Sequence, residues 1–302
     1  MAEFPWPNDH RCAVVLSFDE DGECVPFLYD PENARRRLSL QSEATYGPTI
    51  GVPRILDLLA RHGIRSSFFI PGFTAERHPD VVREIIHRGH EVGHHGYLHE
   101  RPDRVDEAEE ERILVRGIEV LESITGYPPR GYRSPSWELK PTSPALLHTY
   151  GFAYDSSLMG DDQPYLIPAG NTGETLVEIP VQWINDDWPY FGFSSDPPLG
   201  FGLSSPRAVF ETWSEEFAGY YEEGGCYVLT MHPFVIGHPS RIRLLNRLIE
   251  YIRGFDGVWW ATLEQVADHT VASGSAQLRP FADLGGSPPL ETRDEIREPL
   301  TD

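Results

Sequence analysis

The sequence predicts an α/β fold in which a parallel sheet of about seven strands closes into a (β/α) barrel. Short apolar runs of strand length alternate with segments of helical periodicity along most of the 302 residues. Such alternation is typical of parallel sheets, because each crossover helix covers a face of the sheet. Six or seven units of this kind favour a barrel, and a doubly wound open sheet is the second choice. The dinucleotide-binding form of the open sheet is disfavoured, because no Gly-x-Gly-x-x-Gly pattern follows the first apolar run.

In the first half of the chain, apolar runs predict strands at residues 12–18 and 66–70, and residues 90–93 are also predicted to form a strand. Helical spacing of apolar side chains predicts helices at residues 50–63, 79–89 and 106–125. Gly63 and Gly89 mark two of the helix ends, since glycine readily adopts the left-handed conformation that often follows a last helical turn.

The second half of the chain continues the alternation. Strands or strand ends are predicted at residues 130–135, 151–156, 176–181, 226–233 and 258–263. Helices are predicted at residues 141–150, 206–222, 239–253 and 262–268. Residues 183–205 are aromatic and loop-like, which suits a rim over a pocket. Residues 1–283 are predicted to form a single catalytic domain, and residues 284–302, rich in proline and charge, a flexible tail.

The charge of the chain argues against two classes of partner. Its formal net charge of −22 gives a surface that repels phosphate backbones and anionic lipids, so neither nucleic acid nor a membrane is expected. No stretch approaches the roughly 20 apolar residues of a membrane helix, and residues 1–12 lack the pattern of a signal peptide. Three widely spaced cysteines disfavour a disulfide framework. These features predict a cytoplasmic location and leave the oligomeric state open, a homo-oligomer included.

A cluster of acidic residues follows the first predicted strand. Asp19, Glu20, Asp21 and Glu23 fall within five positions. Like charges this close resist common ionisation unless a cation or a proton lies among them. Alternation along the strand puts Asp19 and Asp21 on the same side, so both can reach one centre. An acidic turn exposed to solvent is the alternative interpretation.

Histidines are concentrated in the next cluster, at His90, His94, His95 and His99. Two histidines four residues apart on one helical turn can chelate a metal ion. His90 and His94 overlap a predicted strand, where this spacing separates the residues by about 13 Å. The stretch after residue 93 is predicted to turn into a helix, so His95 and His99 form the better chelate. His94 is predicted to be structural.

Asp21, His95 and His99 together form a predicted three-ligand metal site. A set of three protein ligands leaves coordination positions open, which is typical of catalytic rather than structural metal sites. A divalent metal ion is therefore the predicted cofactor. Zn²⁺ is the first choice, and Co²⁺ or another first-row ion suits the same ligands.

Two further strand ends carry candidate catalytic residues. Arg133 can pair with an acidic group of the first strand and keep it ionised, while Trp137 can form the wall of a pocket. His232 follows the apolar run Leu229-Thr230-Met231 and suits a general acid. The alternative interpretations are a surface arginine, a core tryptophan and a packed core histidine.

Taken in order, these motifs resemble those of the polysaccharide deacetylases, carbohydrate esterase family 4. The resemblance covers residues of about 11 to 268 and lies in four motifs: Ser17-Phe18-Asp19-Glu20-Asp21, His95 to His99, Arg133-Ser134-Pro135 and Leu229-Thr230-Met231-His232. It departs from the family pattern where Glu20 separates the two aspartates and where Gly96 follows the first histidine. The sequence His-Gly-Tyr-x-His-Glu is similar to that of a subgroup containing cytoplasmic peptidoglycan-deacetylase-like proteins, cyclic imide hydrolases and allantoinase-like proteins.

The resemblance implies a distorted (β/α) barrel of the polysaccharide-deacetylase type and a role for each motif residue. Asp19 is the implied base, and Asp21 is the implied ligand, with Glu20 as the competing ligand. Arg133 would hold Asp19 ionised, and His232 would protonate the leaving nitrogen. The acid that orients His232 is predicted to be either Asp155 or Asp162. Contacts with the substrate are predicted for Trp137, Tyr97 and Asp162.

Three functions remain open at this stage. The first is N-deacetylation of an amino-sugar substrate, and the second is hydrolysis of a cyclic imide or ureide by the same catalytic set. A closed pocket would favour the small ring, and a groove would favour the polymer. The third is a non-catalytic carbohydrate-binding protein, which is disfavoured because Asp19, Arg133 and His232 are all present.

Overall fold

A computed structural model describes residues 4–170, 172–195, 198–199 and 203–281. The strands are β1 Cys12–Asp19, β2 Ser67–Ile70, β3 Glu91–His94, β4 Gly131–Tyr132, β5 Tyr154–Asp155, β6 Tyr165–Pro168, β7 Thr175–Glu178, β8 Ser194–Ser195, β9 Pro198–Leu199, β10 Cys226–Met231 and β11 Val258–Trp260. The α-helices are α1 Cys24–Tyr29, α2 Leu38–Ala44, α3 Val52–His62, α4 Gly72–Arg77, α5 Pro79–His87, α6 Glu107–Thr125, α7 Ser143–Thr149, α8 Trp188–Phe191, α9 Pro206–Glu223, α10 Pro233–Ile236, α11 Pro239–Ile252 and α12 Leu263–Ser273.

Nine of these strands form one curled sheet in the order β10-β1-β2-β3-β4-β5-β7-β6, with β11 also paired to β1. Neighbouring strands are parallel except β6 and β7, which form an antiparallel pair at one end. Residues 12–14 of β1 pair with β11, and residues 17–19 pair with β2, so the sheet bends at β1. The predicted α/β barrel class is confirmed, with the described sheet forming a half barrel open between β10 and β6.

Strand β1 is buried along its whole length because both faces of the sheet are covered. Val14, Leu16 and Phe18 belong to the larger core, which packs against α3, α5, α9 and α11. Ala13 and Val15 belong to a second core on the other face, inside the curl of the sheet. Since side chains alternate between faces, Ser17 and Asp19 continue the inner row at the carboxyl end of the strand. This row carries the first functional residue into the mouth of the half barrel.

The structure differs from the sequence prediction mainly in short elements. Helices α1, α2, α4, α8 and α10 and the antiparallel strand β6 are additions, and each has four to seven residues. Elements this short show too few periods for a sequence pattern to define them. The predicted tail at residues 284–302 lies outside the described residues. None of the helices in the described ranges combines the length and apolar character that crossing a bilayer requires.

Candidate active site

The carboxyl ends of the parallel strands surround a cavity of about 140 Å³. Asp19 ends β1, while His95, Arg133 and His232 directly follow β3, β4 and β10. In barrels of α/β units, this end of the sheet carries the active site, because the loops that vary are gathered there. All the motif residues predicted from the sequence to act in catalysis or metal binding therefore reach one region of the molecule.

Asp19 and Arg133 form a buried ion pair on one side of the cavity. Nη1 of Arg133 donates to Oδ1 of Asp19 at 2.8 Å, and both side chains are fully buried. Burial raises the pKa of Asp19, but the charges of Arg133, His95 and His232 outweigh it, so the net pKa is lowered. The cavity therefore presents an ionised carboxylate at neutral pH, as the sequence analysis predicted for this pair.

Asp21, His95 and His99 bring three ligand atoms to within 4.8 Å of one another. His95 Nε2 lies 3.5 Å and His99 Nε2 lies 3.8 Å from Oδ1 of Asp21. That oxygen is buried and has no hydrogen-bond donor among the described residues. Metal–ligand bonds of about 2.1 Å place ligand atoms up to roughly 4 Å apart, so this cluster has the spacing of a metal site.

The hydrogen bond of His95 fits the same interpretation. Its Nδ1 donates to the carbonyl oxygen of Arg133 at 2.8 Å, so the lone pair lies on Nε2, which faces Asp21. Histidine ligands of metals are commonly oriented in this way through their second ring nitrogen. Two imidazoles and one carboxylate suit a divalent first-row ion, and the residues present therefore fit the metal that the sequence predicts.

The prediction that His95 and His99 lie on a helical turn was wrong. The segment after β3 is an irregular loop, in which Gly96 (φ 74°) and His99 (φ 61°) both have left-handed backbones. Carbonyl oxygens of Gly96 and Tyr97 accept hydrogen bonds from Gly72 and Phe73, in the first turn of α4. The loop thus caps a neighbouring helix instead of forming its own, and the two imidazoles still converge.

Glu20, the alternative ligand, is absent from both the ligand cluster and the lining of the cavity. An added Cβ on Gly47 would meet the Glu20 carboxylate at 2.7 Å, which places that carboxylate beside the π-helix Gly47–Gly51. Burial, with the charges of Asp21 and Glu23, raises the pKa of Glu20 well above its ordinary value. The geometry favours Asp21 as the acidic ligand.

His232 lines the same cavity from the end of β10, the strand beside β1, and is oriented by Asp187. Its Nδ1 bonds Oδ1 of Asp187 at 2.7 Å, and its backbone N–H donates to the same carboxylate. Nε2 lies on the cavity side, 4.0 Å from Oδ2 of Asp21. Burial lowers the pKa of His232, but the charges of Asp186 and Asp187 and the Asp187 hydrogen bond raise it well above its ordinary value.

The prediction that Asp155 or Asp162 orients His232 was wrong. Asp155 lies on β5, where its carboxylate accepts from the Ser157 hydroxyl. Asp162 lies near the opposite end of the sheet, where its carbonyl accepts from the N–H of Cys226 at the start of β10. His232 follows the far end of that strand, so the length of β10 separates the two residues.

The aromatic segment at residues 183–188, which leads into the first turn of α8, supplies residues that were not predicted. Asp186, Trp183 and Trp188 line the cavity, and Asp187 bonds Nδ1 of the His232 ring. Burial and the charge of Asp187, opposed by His232, raise the pKa of Asp186 to about 8. The adjacent aspartates within an aromatic loop, Asp186 and Asp187, were the only signal in the sequence.

Trp137 lines the cavity as predicted, and its ring stacks on Trp183 with centroids 4.1 Å apart. Ser136 (φ 57°) and Trp137 (φ 58°) are consecutive non-glycine residues in the left-handed region. Such conformations cost about 1–3 kcal/mol each and persist where the surrounding structure enforces them, commonly at functional sites. The strained turn directs the Trp137 ring into the cavity wall.

Tyr97 and Asp162, the other predicted substrate contacts, lie outside the cavity lining. The Tyr97 hydroxyl donates to Glu76, and the guanidinium of Arg116 lies 3.6 Å from the centre of the ring. Tyr97 therefore points to the outer side of its loop, where it packs between α4 and α6. Asp162 is excluded by its position near the amino end of β10, as described above.

The chain is similar to known proteins over most of its length. The family model described as polysaccharide deacetylase matches residues 45–154. The peptidoglycan deacetylase of Helicobacter pylori is 33% identical over 251 residues, which cover 75% of this chain and 86% of that protein. The chain belongs to the polysaccharide deacetylase family. It is accordingly a hydrolase that acts on carbon–nitrogen bonds other than peptide bonds, in a family of generally metal-dependent enzymes.

Two solved structures share nearly the whole fold. A Mycobacterium smegmatis protein assigned to the polysaccharide deacetylases is 40% identical, with a TM-score of 0.89, and the match covers 95% of this chain and 99% of that one. Puue allantoinase is 26% identical, with a TM-score of 0.78, and the match covers 90% and 94%. The fold therefore resembles proteins named for two different substrates, a polysaccharide and a small ureide.

Proposed function

We propose that this hydrolase holds one divalent metal ion, Zn²⁺ in the first instance, and removes the acetyl group from an N-acetylated amino sugar. The observation that supports this most directly is that the ligand cluster of Asp21, His95 and His99 shares one cavity with two separate proton-transfer pairs. Arg133 pairs with Asp19, and Asp187 pairs with His232. The similarity to the Helicobacter pylori peptidoglycan deacetylase supports the sugar amide as substrate.

The base side of the site is built from the sheet. When bound, a divalent ion supplies a Lewis acid for the carbonyl oxygen and makes a nearby water more acidic. Asp19 accepts one proton from the attacking water as the water oxygen adds to the amide carbon. Arg133 keeps Asp19 ionised for this step, since its charge is what holds the pKa of Asp19 down against burial.

The acid side completes the reaction. His232 donates its Nε2 proton to the amide nitrogen, the carbon–nitrogen bond breaks, and the amine leaves. Asp187 fixes the ring through Nδ1, so the proton available for transfer is on the nitrogen that faces the cavity. The proton taken by Asp19 then returns to His232 through solvent, and acetate and the free amino sugar are the products.

A cyclic imide or ureide is the second candidate substrate. The cavity is small, about 140 Å³, and the stacked rings of Trp137 and Trp183 form one of its walls. A planar ring could lie against such a wall, and hydrolysis of its C–N bond needs the same catalytic groups. The similarity to Puue allantoinase supports this alternative.

Metal analysis of the purified protein with an activity panel tests the proposal. We expect about one divalent ion per chain and less than a tenth of that in His99→Ala, because a three-ligand site loses most of its affinity with one ligand. His87→Ala is the control, since His87 is exposed on α5, away from the cavity. Unchanged metal content in dialysed His99→Ala would refute the ligand assignment.

The panel contains acetylated chitooligosaccharides, acetylated peptidoglycan fragments, succinimide and allantoin. Acetate release from the sugars supports the proposed function. Ring opening of the imide or the ureide without acetate release would contradict the deacetylase function and support the second candidate. Turnover of neither class by the metal-loaded protein would contradict both.

A further inference from the structure

Arg133 is a fully buried cation whose position depends on the turn that follows β5. Its Nε donates to the carbonyl oxygen of Ser156 at 3.0 Å, and its Nη2 donates to the Ser156 hydroxyl at 3.0 Å. Nη1 is left for Asp19 and for the hydroxyl of Ser17. Half of the hydrogen bonds that fix the guanidinium therefore go to one serine, and a shift of that serine would move the partner of Asp19.

Two buried carboxyl groups hold this turn in place. The N–H groups of Ser157 and Leu158 both donate to Oε1 of Glu178, at 3.0 and 2.9 Å. The Ser157 hydroxyl donates to Oδ1 of Asp155 at 2.7 Å and accepts from the N–H of Ser134 at 2.8 Å. Since Ser134 follows Arg133 in the chain, these carboxyl groups fix both the turn and the backbone beside the arginine.

Asp155 and Glu178 are direct partners in register on β5 and β7, and both are fully buried. Oδ2 of Asp155 and Oε2 of Glu178 have no N–H or O–H donor among the described residues. Burial raises the pKa of Asp155 to about 6, and burial with the charge of Asp155 raises the pKa of Glu178. One proton shared by the two carboxyl groups would satisfy both oxygens and avoid two like charges in the interior.

We infer that Asp155 and Glu178 are positioning residues, which fix the turn at residues 156–158 and thereby hold Arg133 against Asp19. The inference rests on the proposed role of Asp19 as base. Neither carboxyl group lines the cavity, so any effect on turnover passes through Arg133. The placement of Arg133 matters for turnover, because a shift of about 1 Å in a catalytic group can lower turnover about 100-fold.

Glu178→Gln and Glu178→Ala separate positioning from simple stability. The glutamine keeps an oxygen for both N–H groups and gains an N–H for Asp155, so kcat should stay within about threefold of wild type. The alanine leaves two buried N–H groups unpaired, and we expect kcat to fall about 30–100-fold with KM and metal content unchanged. The substrate is tetra-N-acetylchitotetraose, and crystal structures of both variants give the Arg133–Asp19 distance directly.

Glu91 provides the matched control. It is another buried carboxyl group of the same sheet, at the amino end of β3, where it accepts from Ser67, Tyr154 and the N–H of Glu264. Glu91→Ala should lower the melting temperature as Glu178→Ala does, while kcat stays within about threefold, because the described partners of Glu91 lie outside the cavity lining. An equal loss of kcat in the two alanine variants would overturn the inference.

Ser157→Ala covers the case in which Glu178→Ala does not fold, because it removes only one hydroxyl from the relay. We expect a loss of kcat of about 10-fold and a longer Arg133–Asp19 contact in the crystal structure. An unmoved Arg133 and unchanged kcat would refute the inference. Full turnover by Asp19→Asn would instead refute the base assigned in the proposed function, so the two failures are distinguishable.

Discussion

The two proton-transfer pairs of the cavity are held in place by different parts of the fold. Asp19 and Arg133 lie at the ends of β1 and β4, and hydrogen bonds from neighbouring strand ends fix both side chains. His232 follows β10, but its partner Asp187 comes from the loop before α8, which is 45 residues away in the chain. One pair is thus part of the sheet, and the other joins the sheet to a loop.

The two pairs also differ in how many titratable groups surround them. Arg133 is a permanent cation 2.8 Å from Asp19, and it holds the pKa of Asp19 down, so Asp19 keeps one charge state across the neutral range. His232 lies near both Asp186 and Asp187, at 3.8 and 2.7 Å from Nδ1. Burial raises the pKa of Asp186 to about 8 and also raises the pKa of Asp187. The base side is therefore fixed in charge, while the strength of the acid depends on its loop.

The comparison predicts the largest effect for Asp19→Asn. Asparagine keeps the size of the side chain but cannot take a proton from water, so we expect kcat to fall about 10³-fold or more while metal content is unchanged. Steady-state kinetics with metal analysis of the same sample measures both. Full activity in this variant would remove Asp19 from the mechanism.

Glu20→Gln is the matched control for that variant, because Glu20 is the adjacent buried carboxyl group and does not line the cavity. We expect its kcat and metal content to stay within about threefold of wild type, as for a substitution remote from the site. A loss of metal in Glu20→Gln would show that Glu20, and not Asp21, is the acidic ligand.

Asp187→Asn tests the loop side, with an expected loss of about 100-fold in kcat. His232 acts as an acid, so activity is lost as the pH rises through its pKa. Burial lowers that pKa and the two aspartates raise it, so removing the Asp187 charge moves the basic limb of the kcat profile to lower pH. A kcat profile measured from a pH of about 5 to 10 should show this shift. If the basic limb stays at the same pH, a group other than His232 is responsible for that limb.

Asp186→Asn is the companion experiment. Asp186 bonds the N–H of Trp188 rather than the His232 ring, and its pKa of about 8 leaves it largely uncharged at neutral pH. We therefore expect a smaller loss of kcat, within about tenfold, and a basic limb that changes only above pH of about 8. Equal effects of the two substitutions would contradict the division of roles between these aspartates.

The difference between residues at strand ends and residues in loops explains how much of the site could be predicted from the sequence. Asp19, Arg133 and His232 terminate apolar runs, and residues at the carboxyl ends of parallel strands meet at one edge of a sheet. Their convergence was therefore predictable from periodicity and order along the chain, and so was the α/β class of the fold.

Loop residues lack that constraint, because their direction depends on tertiary contacts that leave no periodic signal. Asp187 was missed for this reason, and Asp155 was chosen wrongly because it too ends a strand. His95 and His99 both approach Asp21, but from an irregular loop and not from the predicted helical turn, since the contact with α4 overrides a helical preference. Tyr97 was misplaced by the same loop, which turns its ring outward.

Trp183→Ala should give the smallest effect and concerns the wall of the cavity rather than its chemistry. Trp183 is 43% exposed and stacks on Trp137, so its removal loses one aromatic contact, worth about 0.5–1.5 kcal/mol. We expect KM to rise about 2- to 12-fold with little change in kcat. Kinetics with a cyclic imide and with a chitooligosaccharide measure the effect for each substrate class.

Ile184→Ala is the control, because Ile184 adjoins Trp183, is 41% exposed and lies outside the cavity lining. Its KM should match wild type for both substrates. A rise in KM confined to the imide would indicate that the ring lies under the stacked tryptophans, whereas a rise confined to the oligosaccharide would make Trp183 a platform for a sugar beyond the scissile amide. Trp183 and Asp187 lie in the same segment of the chain. Either result would therefore show that the segment orienting the acid His232 also contributes to substrate selection, whereas the base Asp19 belongs to the sheet.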